Sequence, residues 1–170
     1  MWALLVILIA SSMVYSCKTV QMEAPGPGET LADISTRESE EVYEVPRMPM
    51  RLKPAMVGQT DRRTVQLPVA GARSAAVVIT AFDIDAVEEA RMFINGREVE
   101  LPEAIVADML DITVTIPISI QLLKKGTNEI KFEFADDLGG NTNGFLIKDL
   151  KMILRRRRSW NGLFPKHWLH

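Results

Sequence analysis

The sequence predicts an all-β fold, a small β-sandwich, on three observations. Apolar and polar residues begin to alternate at Thr64-Val65-Gln66-Leu67 and do so again in later segments. An Asn95-Gly96 pair sits between two such segments. Seven or so short apolar runs, separated by turn residues, fill residues 62–156, a spacing that belongs to sandwiches and barrels. A domain of about 95 residues buries roughly 65% of its unfolded surface, enough to fold alone.

The chain ahead of that domain divides into two parts. Trp2 to Tyr15 carries no charge and is mostly Leu, Ile, Val and Ala, with Lys18 closing the run. It is shorter than the about 20 residues that span a bilayer as a helix, and its length fits a secretory signal of residues 1–16. Val14-Tyr15-Ser16-Cys17 resembles a lipobox, where bacterial signal peptidase cuts before a lipidated cysteine. The pattern departs from the usual one at Tyr15 and in having no basic residue before the apolar run. The resemblance implies acylation of Cys17, anchoring to a membrane of the bacterial cell envelope, and, because Lys18 stands where aspartate would retain the protein, the outer membrane rather than the inner. Residues 17–61 read as a flexible acidic tether. Pro25-Gly26-Pro27-Gly28 breaks any helix, and Pro46, Pro49 and Pro54 follow. A spacer role is expected there, with Val42-Tyr43-Glu44-Val45 as the patch best suited to dock a partner.

Within the domain, Val65, Leu67 and Val69 mark a first strand, and the β-branched run Ala75 to Phe82 marks one buried on both faces. Arg91 to Ile94 and Arg97 to Leu101 flank Asn95-Gly96, the strongest short hairpin signal, because a type I′ turn needs positive φ at both central residues. Pro102 to Leu110 looks faintly helical. Ile112, Val114, Ile116 and Ile118 alternate, as do Ile130, Phe132 and Phe134 against charged neighbours. Phe145 to Leu154 closes the domain, and residues 157–170 read as a basic and aromatic tail, with Arg155 and Arg156 opening it.

Three stretches carry a resemblance. Phe82-Asp83-Ile84-Asp85 followed by Ala90 to Gly96, then Leu122 to Phe132 with its Leu-x-x-Gly-x-Asn spacing, then Asn143 to Leu150, together resemble the galactose-binding-like jelly-roll modules carried by bacterial glycosidases. The likeness covers roughly residues 64–154. It implies a jelly roll, with an immunoglobulin-like sandwich as the alternative, and it brings glycan binding forward as a function.

The residues exclude much chemistry. The domain has no histidine and no cysteine, and it lacks a Gly-x-Ser-x-Gly elbow, a His-Glu-x-x-His pair and a phosphate loop. No enzyme is expected. The domain also has no Trp or Tyr for sugar stacking, and at least four of its five phenylalanines (Phe82, Phe93, Phe132, Phe134 and Phe145) are expected in the core. A polar ligand site would use the turn residues Asn95, Arg97, Asn141 and Asn143. Asp83, Asp85 and Glu88 offer oxygens to a structural calcium ion, the one cofactor considered. Arg155, Arg156, Arg157 and Arg158 with Trp160 and Trp168 suit an anionic surface. The expected protein is thus a non-enzymatic, lipid-anchored envelope protein whose sandwich binds a glycan or other ligand. Its alternative is a structural lipoprotein whose sandwich packs into a larger envelope assembly. Nucleic acid is not an expected partner.

Overall fold

A computed structural model describes residues 18–20, 38–52, 57–135 and 144–157. Ten strands form two antiparallel sheets: β1 (Lys18–Val20), β2 (Glu38–Glu44), β3 (Met50–Leu52), β4 (Thr60–Leu67), β5 (Ala72–Ile84), β6 (Ala90–Ile94), β7 (Arg97–Val99), β8 (Ala107–Ile118), β9 (Gly126–Phe134) and β10 (Phe145–Arg157). One sheet runs β1-β2-β10-β5-β8 with β3 also on β10, and the other runs β4-β9-β6-β7. From β3 onward the chain changes sheet at every connection except the β6–β7 hairpin. That alternation makes a jelly roll and sets aside the immunoglobulin-like alternative.

The alternation of side chains builds the core between the sheets. Val65, Leu67, Met92, Ile94, Ile130, Phe132 and Phe134 face inward from one sheet, and Val77, Ile79, Val114, Ile116, Leu150, Met152 and Leu154 from the other. Phe134 and Phe145 stack across the interior with centroids 6.2 Å apart. β5 is central in its sheet, as its apolar run implies, but its outer face is only partly covered, with Val78, Thr80 and Phe82 half-buried. Three of the five phenylalanines are in the core. Phe82 and Phe93 lie on outer faces instead, under Lys148 and Lys131 at 4.7 and 3.7 Å. Pro102 to Leu110 is one 3-10 turn (Glu103–Ile105) running into β8, so its faint helical pattern ends after a single turn.

Two boundaries differ from the expected ones. Glu38 to Leu52, expected in the tether, supplies β2 and β3, and Tyr43, Val45, Met50 and Leu52 are buried. β2 pairs with the last half of β10, from Lys151↔Glu44 to Arg157↔Glu38, and β3 pairs with its first residues. The acids of one strand therefore face the bases of the other. Arg155 Nε lies 3.0 Å from Glu40 Oε2 and Arg156 Nε 3.3 Å from Glu41 Oε2. The Tyr43 hydroxyl donates to Glu41 Oε2 at 2.5 Å, and burial together with that carboxylate pushes its pKa up to about 12. Arg156 also donates to the carbonyls of Pro68 and Ala70. Arg155 and Arg156 are thus strand residues rather than the start of a tail.

The hairpin adopts the expected turn, with φ of 52° at Asn95 and 80° at Gly96. Its Asn95 side chain donates to Leu122 O at 2.7 Å and to Asn128 Oδ1 at 2.9 Å, and accepts from the Glu129 amide at 3.1 Å. Asn128 is fully buried. Its Oδ1 accepts from the Lys124 amide at 2.7 Å, and its Nδ2 donates to Lys124 O and Gly126 O at 2.8 and 2.9 Å. The two asparagines bolt the hairpin to the loop before β9.

Two outcomes follow from this packing. Arg156→Ala should destabilise the domain by about 2–4 kcal/mol, since it takes the cation from beside the buried Glu41 carboxylate and the donors from the Pro68 and Ala70 carbonyls, and should open Glu38 to Glu44 to proteolysis. Unchanged stability and protection would put Arg156 outside the fold. Asn128→Asp keeps the shape but turns two donors into acceptors facing carbonyls; a loss of about 2–4 kcal/mol in urea unfolding is expected, and a loss below about 1 kcal/mol would mean the loop relaxes around it.

Candidate functional site

Of the four turn residues expected to form a polar site, Asn95 and Arg97 are among the described residues. Every polar atom of the Asn95 side chain is engaged in holding the loop before β9. Arg97 is exposed beside it. Asn141 and Asn143 lie outside the described residues. Phe134 pairs with Ala90, at the far end of β6 from the hairpin. Four residues of strand, about 13 Å, separate the two ends. Cys17, Arg158, Trp160 and Trp168 also lie outside the described residues; Arg157 is exposed at the end of β10.

The far end of the sandwich holds the acids. There β5 and β8 leave register: Phe82 pairs with Asp111 and Ile84 with Ala107, so Asp83 alone faces Asp108, Met109 and Leu110. Asp83 and Met109 take the left-handed conformation, with φ of 63° and 52°, and the Met109 amide donates to Asp83 Oδ1 at 3.0 Å. The bulge turns Met109 and Leu110 into solvent, each 64% exposed. It also brings Asp108 to Asp83 and Asp85, with one carboxylate oxygen of each within 4.8 Å of the others. Each such pair of charges repels by about 1 kcal/mol even in bulk water.

Glu88, expected in this cluster, points away from it, and its neighbour Glu89 turns inward. The 3-10 turn Val87–Glu89 sets that phase, exposing Glu88 and burying Glu89 completely. Glu89 Oε2 accepts from the Asp85 amide at 2.8 Å, and its Oε1 has no partner among the described residues. Burial, then the nearby carboxylates, hold the Asp85 pKa above the ordinary range, and burial does the same for Glu89. Asp108 and Glu89 were missed because β8 is distant in sequence and the turn's phase is invisible in a three-residue window.

Around the corner, between the edges of the two sheets, runs an open groove of about 880 Å³. Glu88, Arg91, Glu98, Glu100 and Glu103 stand on its walls, and the buried Val99, Leu101 and Ile116 underlie it. Carboxylates accept hydrogen bonds from hydroxyl groups, and one guanidinium adds donors. The lining residues include no histidine, cysteine, lysine or serine; their titratable and hydroxyl groups are the four glutamates, Arg91 and Thr115.

No family model matches the sequence, and no curated protein matches it. Among solved structures, a β-porphyranase of glycoside hydrolase family 86 from the human gut bacterium Bacteroides plebeius is similar over 71% of this chain and 21% of its own, at 19% identity and a TM-score of 0.54. A second family 86 enzyme, solved in complex with neoagarooctaose, is similar over 69% of this chain and 18% of its own, at 17% identity and a TM-score of 0.53. A family 36 carbohydrate-binding module in complex with calcium and xylotriose superposes at a TM-score of 0.41 and 12% identity, over 66% of this chain and 98% of its own, too loosely to transfer a site. The chain spans about a fifth of the length of the two enzymes. What the likeness to the two enzymes establishes is the fold alone, a jelly-roll β-sandwich.

Proposed function

We propose that this protein is a non-enzymatic glycan-binding module held at the bacterial cell envelope by acylated Cys17. The observation that carries the binding reading is the groove between the sheet edges. Its volume is that of a small-ligand site, and Glu98, Glu100 and Glu103 line it with acceptors suited to sugar hydroxyls. Four carboxylates and one guanidinium make the groove acidic, so the ligand is a neutral or basic glycan rather than a sulfated or uronic one. The anchor rests on the uncharged run that ends in Val14-Tyr15-Ser16-Cys17, and the outer membrane is the destination that Lys18 favours.

Affinity electrophoresis against a panel of neutral polysaccharides, with neoagarooctaose as a soluble competitor, tests the binding. Retention by at least one neutral glycan is expected. Glu98→Ala combined with Glu103→Ala should weaken it about tenfold, the loss of one or two charge-assisted hydrogen bonds, with an unchanged thermal midpoint because both side chains are exposed. A panel without retention, or a double variant that binds as well, would sink the reading. In the same strain, Cys17→Ser should move the protein out of the membrane fraction; a variant that stays there with its leader uncleaved would show a plain membrane anchor.

A second reading, a structural lipoprotein that packs into an envelope assembly, is favoured by one observation. Val106, Met109 and Leu110 are exposed apolar residues close together at the bulged end. If glycan retention fails while Leu110→Glu abolishes a crosslink to another envelope protein, that reading replaces the first.

A further inference from the structure

Two of the arginines expected at an anionic surface, Arg155 and Arg156, are paired with Glu40 and Glu41. A different set stands free. A second cleft, of about 460 Å³, lies between the β2–β3 connection and β4, lined by Arg47, Arg62 and Arg63 with Thr64 and Gln66, and no carboxylate stands among its lining residues. The three arginines differ in what holds them. Arg63 is half-buried and serves the fold: its guanidinium pairs with Asp61 and donates to Arg47 O at 2.7 Å and to Pro49 O at 3.2 Å. That clasp holds Arg47 in left-handed backbone, φ 64°, which few non-glycine residues adopt and which gathers at ligand sites. Arg47 itself is exposed, and its guanidinium has no partner among the described residues. Arg62 is exposed too, and its ion pair with Glu129 is long, at 3.7 Å. An exposed pair of that length contributes little, so Arg62 is free to turn to a ligand.

The cleft also has a definite side. β4 is an edge of its sheet, and β1 and β2 form the neighbouring edge of the other. β1 begins at Lys18, one residue after Cys17, and pairs with β2 through Lys18↔Tyr43. The acidic groove lies between the opposite edges, β7 and β8. β1 and β8 are four strand spacings apart, about 19 Å. We propose that the cleft binds the phosphate of an anionic phospholipid head group, with Arg47 and Arg62 contacting the phosphate and Arg63 positioning Arg47. The choice of a lipid as the source rests on the acylation of Cys17 read above. Guanidinium forks match phosphate oxygens in pairs. The Thr64 hydroxyl and Gln66 Oε1, whose amide nitrogen is taken by Thr127, serve the hydroxyls of the head group. The volume is that of a small-molecule site rather than of a single ion. An acyl chain on the residue bonded to Lys18 brings this flank to the bilayer with no tether between. The head-group contact then fixes the roll of the sandwich, and the groove on the opposite flank faces away from the membrane.

The test is arginine footprinting with phenylglyoxal, read by mass spectrometry on the full-length protein in neutral detergent and on vesicles of phosphatidylcholine with or without phosphatidylglycerol. Vesicles containing phosphatidylglycerol should slow modification of Arg47 and Arg62 several-fold and leave Arg97, exposed on β7, as reactive as in detergent. Salt at about 0.5 M should lift the protection. Arg47→Gln should return Arg62 to its unprotected rate, and Arg62→Gln should do the same for Arg47, with unchanged thermal midpoints because both side chains are exposed. Reciprocal loss marks one shared site. No protection, equal protection of Arg97, or protection of Arg62 that survives Arg47→Gln would overturn the proposal. Inorganic phosphate added in detergent should protect only weakly; protection equal to that on vesicles would make the ligand free phosphate and overturn the assignment to a lipid. The mass of the N-terminal peptide reports acylation of Cys17 in the same samples. An unacylated chain whose Arg47 and Arg62 are still protected by anionic vesicles would remove the anchor and keep the cleft; an acylated chain without protection would keep the anchor and remove the cleft.

Discussion

The structure depends on the pairing of β10 along both of its edges. This 13-residue strand carries Phe145, Ile147, Leu150, Met152 and Leu154 into the core, so its backbone amides and carbonyls cannot turn to water. One edge is covered along nearly its whole length by β5. The other needs a partner for every turn of the pleat, and only the segment before β4 supplies it: β3 on the first residues, β2 on the last, and the Val45 amide bonding to Leu150 O between them. Unpaired buried backbone groups are rare because each costs about as much as a lost hydrogen bond. Glu38 to Leu52 therefore belongs to the domain, however polar its composition.

That constraint explains what was legible and what was not. Alternation marked β4, β8 and β9, because each has one core face and the period survives in the sequence, while β5 showed as a continuous apolar run. Asn95-Gly96 showed its turn through the one conformation it favours, and Leu-x-x-Gly-x-Asn marked the loop that Asn128 fastens, although its chemistry is structural rather than ligand-binding. β2 was illegible for a physical reason. In Glu38-Ser39-Glu40-Glu41-Val42-Tyr43-Glu44 only Glu41 and Tyr43 are buried, and a buried glutamate masks the period. Its stability comes from Arg155 and Arg156, more than 110 residues away. The opposite charges of the two segments are plain in the sequence, but the exposed Arg155–Glu40 pair contributes only about 0.2–1 kcal/mol, and the burial of Glu41 and the backbone pairing that joins the strands leave no local trace.

The acid cluster shows the same limit at the level of side chains. The Asp83-x-Asp85 pair is a local pattern and could be read. Asp108 enters only through the β5–β8 register slip, and Glu89 rather than Glu88 only through the phase of a single 3-10 turn. Sequence spacing identifies residues that share a strand face; it does not identify residues that a bulge on a neighbouring strand delivers to the same point.

The two ends of the sandwich are therefore chemically unlike. At the hairpin end, the positive φ of Asn95 and Gly96 is matched to the turn, and the Asn95 and Asn128 side chains spend their donors and acceptors on backbone groups and on each other. Such an end is rigid and has few polar atoms left for a ligand. At the bulged end, two non-glycine residues hold left-handed backbone, like charges crowd together, an oxygen is buried without a partner, and two large apolar side chains face water. The left-handed backbone, the crowded charges and the unpartnered oxygen each oppose folding by about a kilocalorie per mole or more, the exposed side chains contribute nothing to it, and a small sandwich has about 5–15 kcal/mol in total. A strained backbone persists only where the surrounding structure over-determines it or an interaction repays it. Among the described residues of the two ends, the unspent polar chemistry is therefore concentrated at the bulged one and along the groove that adjoins it.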